Sequence, residues 1–208
     1  MIKEIINILP KISIIRTLIY SIRYRGKIII GKNAKIKIRQ KGKINIQKGA
    51  TLIIGVYYSL PQKMILDIYE SGTLNVFGKV NLCTGSKILI GKDAELHIGD
   101  GTYINEHSRI QCRKYIEIGE NCAISWGVNI MDTDEHYIIS NGAKKDKYRS
   151  VKIGKHVWIG ANATILKGST IGDNCIVGAN SVVNTIINSN SLIVGNPAII
   201  KRCDVNWV

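Results

Sequence analysis

Aliphatic residues recur along this chain with three different spacings, and each spacing predicts a different element. Ile5, Ile8, Ile12, Ile15, Ile19 and Ile22 fall at three- and four-residue steps, the stripe of one helical face. Pro10 should end or kink that helix, or stand in the first turn of its second half. From residue 28 the pattern changes: "IKIRQKGK", "INIQKGAT" and "LIIGVYYS" follow one another at eight-residue steps. Each reads as an alternating strand followed by a polar or Gly-containing turn, so the segment is an internal repeat.

Farther along the step shortens to six. Ile98, Ile104 and Ile110 are six apart, then Ile118, Ile124 and Ile130, then Ile153, Ile159, Ile165, Ile171, Val177 and Val183. Four residues after each of the first five positions of the last run stands Val157, Ala163, Ser169, Cys175 or Ser181. One aliphatic and one small position in every six residues describes a strand and a tight corner, repeated around a triangular coil. The aliphatic side chain fills the interior and the small one fits where two walls meet. Successive coils then pair as parallel sheets over a continuous core.

The six-residue rhythm runs through Ile130 and is lost until Ile153, so residues 131–152 are predicted to leave the coil as an external loop. At the base of that loop stands "DTDEH", a histidine beside three carboxylates. Loops held on a rigid scaffold are where chemistry tends to be placed. By composition alone this reads as a solvated polar loop, in which His136 carries the side chain whose ordinary pKa lies nearest neutrality. In an extended segment Asp132 and Asp134 alternate onto the face of His136 and Glu135 points away, so either aspartate would orient the imidazole, with Asp134 preferred.

Composition changes this picture only in places. The 208 residues suffice for one domain, and a formal charge of +14 favours an anionic partner, although abundant Ile, Lys and Asn would also follow from an AT-rich genome. No aromatic-interleaved basic motif, helix-turn-helix pattern or zinc-finger spacing occurs, so no nucleic-acid partner is expected. Five cysteines with no CxxC spacing and no signal-peptide pattern predict a reducing cytoplasm. Cys122 and Cys175 fall on small corner positions and read as packing residues. No apolar run reaches the 18 residues of a membrane span. Lys3, Lys11, Arg16, Arg23 and Arg25 punctuate the N-terminal helix, which either caps the open end of the core or associates peripherally with a membrane surface.

"HVWIGANATILKGSTIGDNCIVGANSVV" followed by "VGNPAIIKR" resembles the hexapeptide-repeat acyltransferases, and "DTDEHYI" with the Arg-containing helix places the resemblance nearest the bacterial polysaccharide and maltose-type O-acetyltransferases. It covers roughly residues 12–202 and is most specific over 151–202. The resemblance implies an all-β solenoid, a left-handed parallel β-helix, against the usual right-handed crossover. The expected organisation is an N-terminal amphipathic helical segment over residues 1–26, the β-helix over 27–203 and a tail over 204–208.

The same resemblance implies an acetyl-CoA-dependent O-acetyltransferase acting on a sugar hydroxyl of a surface polysaccharide or its precursor, by direct transfer. His136 would be the base. Trp158, directly after corner residue Val157 and so outward-facing, would donate to the developing oxyanion or hold the acceptor and the pantetheine arm. Gly160, Ala161, Gly178 and Ala179 match positions whose backbone meets the pantetheine amides, and Lys167, Lys201 and Arg202 would meet the phosphates. The cofactor groove of such enzymes lies between subunits, so a homotrimer is implied. The alternatives are an antibiotic or free-sugar acceptor, or a non-catalytic solenoid. A zinc-dependent relative with this fold would need an HxxxxH pair, which His97, His107, His136 and His156 do not form, so no metal is expected.

Overall fold

The computed structural model describes residues 11–56 and 62–208. The first ten residues, with Ile5, Ile8 and Pro10, and the end of "LIIGVYYS" lie outside the described residues. Among the described residues three parallel walls of eight, seven and seven strands are visited in turn, each strand stacking on the one from the coil before, and a ninth, antiparallel strand closes the first wall. This is the left-handed parallel β-helix predicted from the hexapeptide resemblance.

Register explains the two periods. Ile28 pairs with Leu52 on the first wall, a coil of twenty-four residues built from three eight-residue steps. Ile159 pairs with Val177 on the same wall, a coil of eighteen, or three hexapeptides. Strands shrink accordingly, from four residues at Lys27–Ile30 to two at Trp158–Ile159, so the solenoid tapers toward its C-terminal end. Ile159, Ile165, Ile171, Val177 and Val183 are buried on the axis, and the small positions Val157, Ala163, Ser169, Cys175 and Ser181 are fully buried at the corners. Truncating one of the axial isoleucines to Ala would cost about 2–5 kcal/mol, because neighbouring coils cannot collapse into the void.

Corners also account for part of the asparagine content. Asn121, Asn162, Asn174, Asn180 and Asn190 all take φ between 54° and 58°, the left-handed conformation that Asn tolerates better than other residues bearing a Cβ. Gly160 is required for a different reason. A Cβ there would lie 2.6 Å from the amide nitrogen of Ala179, backbone of the next coil.

The helix Ile14–Arg23 closes the N-terminal end with Thr17, Ser21 and the partly buried Tyr20 inward. The Lys27–Ile30 strand is the open edge of its wall, and its amides need partners. Ile30 N–H donates to Thr17 Oγ1 at 3.0 Å, and Ser21 Oγ both accepts from Ile28 N–H at 3.1 Å and donates to its carbonyl at 3.0 Å. At the other end, Ala198–Cys203 folds back antiparallel on Ser191–Gly195. Sequence spacing predicted the cap and left its rotation open.

Candidate active site

The second wall runs to Met131 and the third resumes at Val151, two residues before the rhythm becomes visible at Ile153. Between them the chain leaves as an antiparallel ribbon. Arg149 N–H donates to Asp132 O at 3.0 Å, Thr133 bridges Tyr148, and Asp134 N–H donates to Lys147 O at 3.1 Å. The ribbon ends in a hairpin of Ile138–Ser140 with Ala143–Lys145, whose Asn141-Gly142 turn has φ of 51° and 74°. Two positive φ values in a two-residue loop are the twist a tight hairpin needs, which selects Asn-Gly. Tyr137 packs under Lys144, whose Nζ lies 3.6 Å from the ring centroid, and Lys147 is 4.9 Å from it.

Each carboxylate of "DTDEH" is committed to a partner other than the histidine. Asp132 is fully buried and receives the backbone N–H groups of Arg113, Lys114 and Tyr115 at 2.7, 2.7 and 2.8 Å. Those amides form the corner of the coil beneath, and the strand that would have covered them has left as the ribbon. The carboxylate substitutes for the missing carbonyls. Burial pushes its carboxyl upward in pKa, against the three donors that pull it down.

Asp134 pairs at 2.5 Å with Lys167, which also donates to Asp146 O at 2.8 Å and so ties the ribbon to the coil above. Glu135 accepts from Arg113 Nε at 2.8 Å and from Gln111 Nε2, tying the ribbon to the coil below. Burial alone would raise the Glu135 carboxyl, but Arg113 and Gln111 outweigh it and hold the pKa below the ordinary glutamate value.

His136 is exposed and makes no hydrogen bond among the described residues. Within this chain neither Asp132 nor Asp134, the two expected to orient it, is bonded to it. Glu135 takes φ of 59° with its N–H on Thr133 Oγ1, so the segment turns where the alternation argument assumed an extended strand. Lys167 is likewise engaged within the loop anchor instead of standing free for a phosphate.

Trp158 is outward on the first wall, 42% exposed, with Ala123 and Ile176 as neighbours in register. Its indole N–H donates to Ser125 Oγ at 3.2 Å, which leaves the ring face as its available surface. The chain does not bring Trp158 and His136 into contact; one stands on the first wall, the other past the end of the second. Trp207 of the tail, which the sequence reading did not single out, stacks on His156 with centroids 4.3 Å apart and donates to its carbonyl at 2.8 Å. Its ring lies 6.3 Å from that of Trp158, and Tyr103, Asn121, His156 and Trp207 line a groove of about 600 Å³ on this wall.

On the adjoining corners Gly160 N–H and Gly178 N–H are used between coils, donating to Val177 O at 2.7 Å and Ile193 O at 2.8 Å. The N–H groups of Ala161 and Ala179 have no such acceptor among the described residues. Lys201 and Arg202 are exposed on the final strand. Cys83, Cys112, Cys122 and Cys175 are buried, and Cys122 and Cys175 donate to the carbonyls of Gly154 and Asn188, each at 3.1 Å. Burial pushes Cys83 to about 12 and Cys122 to about 11, values that exclude a thiolate near neutral pH.

Residues 150–185 match the family model described as bacterial transferase hexapeptide, six repeats. The galactoside O-acetyltransferase of Escherichia coli is 30% identical over 74% of this chain and 77% of its own length. A Mycobacterium tuberculosis protein named as a probable acetyltransferase is 27% identical over 88% of this chain, and the match spans about half, 52%, of that relative. Among solved structures, the polysialic acid O-acetyltransferase OatWY superposes with a TM-score of 0.58 at 27% identity, covering 85% of this chain and 88% of the other.

Proposed function

Because the chain belongs to the bacterial hexapeptide-repeat transferases, we propose that it is an acetyl-CoA-dependent O-acetyltransferase acting on a sugar hydroxyl of a surface polysaccharide or its precursor. The observation that carries the reading is the base of the ribbon. Three carboxylates clamp it to the coils above and below, and the single side chain they leave unpaired is His136. A rigid mount with a free imidazole is what a general base needs.

Acetyl-CoA supplies the thioester carbonyl, and His136 takes the proton of the acceptor hydroxyl as its oxygen adds to that carbon. The proton then passes to the departing thiolate. No covalent enzyme intermediate is required, since the cysteines are buried away from His136 apart from the surface residue Cys203. Trp158 offers a ring face against which acceptor or pantetheine packs. The free amides of Ala161 and Ala179 suit the carbonyls of an extended pantetheine arm, and Lys201 and Arg202 suit its phosphates.

A site that uses both His136 and Trp158 needs two copies of the chain, because one copy holds them apart. This favours the homotrimer implied by the family resemblance. A polymeric acceptor fits the likeness to a protein named as a polysialic acid O-acetyltransferase. The test is coenzyme A release with a panel of glycans and nucleotide-sugars, wild type against His136→Ala. A loss of roughly 100- to 10,000-fold is expected. Thiol release at the wild-type rate with the true acceptor would remove His136 from the mechanism.

A further inference from the structure

The capping helix faces the wrong way for an element whose apolar stripe serves the core. Thr17 and Ser21 point inward onto the edge strand, none of its residues is buried, and Ile15 and Ile22 are 73% and 77% exposed. Ile14, Leu18 and Ile19 complete the outward face at 54–64% exposure. Five large aliphatic side chains on ten helical residues are thus held in solvent by an internal hydrogen-bond pattern that forbids rotation inward. A contiguous apolar face of this kind marks a contact surface.

Charge is distributed just as unevenly. Residues 5–66 contain thirteen Lys and Arg and no Asp or Glu, whereas residues 67–208 contain fifteen and fourteen. Nearly the whole net charge of +14 therefore sits on the helix and the first coils. Beside the helix, Arg16, Lys32, Lys35 and Lys63 line a groove of about 340 Å³ into which no described acidic side chain projects.

We infer that this end of the solenoid docks on a bilayer surface rich in anionic lipid, with the Ile14–Arg23 face seated among the acyl chains and the cationic groove over the headgroups. A helix of ten residues is roughly 15 Å long, half a hydrocarbon core, and no described helix is long and apolar enough to cross a membrane. It therefore lies in the interface. Charge opposes a second copy as the occupant, because two such ends face to face would bring their cationic shells together. The inference is independent of the acetyl-transfer reading.

Flotation of the full chain with vesicles tests it, using phosphatidylcholine alone and an equal mixture with phosphatidylglycerol. Wild type is expected to float with the mixed vesicles only. Binding should fall at least about tenfold in Leu18→Glu/Ile22→Glu, and also at high salt. Both positions are exposed, so the unfolding midpoint of the double variant should match wild type. Equal flotation of wild type and double variant, or equal binding to neutral vesicles, would overturn the inference. So would a variant whose solution mass drops by light scattering while wild type ignores both vesicle types, which would assign the face to a second copy. Coenzyme A release with a water-soluble acceptor should be unchanged in the double variant, which keeps this test separate from that of His136.

Discussion

Asp132 is the residue whose loss should be felt most clearly and most locally. Its two oxygens receive three partly buried backbone donors, Arg113 on one and Lys114 and Tyr115 on the other. In Asp132→Asn the amide nitrogen must face at least one of these N–H groups, stranding a donor at about 1–3 kcal/mol. Asp132→Ala strands all three. Their costs are not additive once water enters the corner, and a loss of about 3–5 kcal/mol is the scale for removing one side of a buried charged network. Hydrogen exchange at the amides of residues 113–115, followed by mass spectrometry, reads the effect directly. A local loss of about 3 kcal/mol accelerates exchange roughly 100-fold. Exchange within about threefold of wild type in Asp132→Ala would refute the account of this carboxylate as a substitute for the missing strand. Loss of acetyl transfer with unchanged exchange would instead place it in the chemistry.

Two further predictions concern titration. Glu135 has a folded pKa below its ordinary 4.5, so its contribution to anchoring the ribbon is complete above that value and is lost as pH falls through the lower folded one; ribbon protection by hydrogen exchange should decline there in wild type, and Arg113→Gln should abolish that dependence. Native protein treated with iodoacetamide near neutral pH should gain a single adduct by intact mass, on Cys203, because the other four thiols are buried. A second adduct formed before unfolding would contradict that placement.

The solenoid was legible in the sequence because its signal is repetition. Ile159, Ile165 and Ile171 announce their burial by spacing alone, and the interruption after Ile130 announces the ribbon. What spacing could not show was which side chains meet across coils. The partners of Asp132 lie at residues 113–115, a pairing set by how coils of unequal length stack. The alternation argument failed at Glu135 because a left-handed residue in the middle of "DTDEH" turns the segment. Trp207 reaches His156 from fifty-one residues away through a tail that carries no repeat. The helix periodicity was visible, but a stripe of isoleucine does not say whether the protein or something else covers it. The hydroxyls of Thr17 and Ser21 show only that the core of this chain does not.

The two ends of the stack also bear on polymerisation. A parallel solenoid offers unpaired strands at top and bottom, and identical open ends would invite chains to add one upon another into a fibre. Here the lower edge is occupied by hydroxyls of a helix laid across it, and the upper wall terminates in a reversed strand bearing Lys201 and Arg202. On this first wall, then, neither end presents a template for another coil, whereas the other two walls keep edge strands, Ala34–Ile38 and Lys43–Ile46 below and Val182–Val183 and Ile186–Ile187 above.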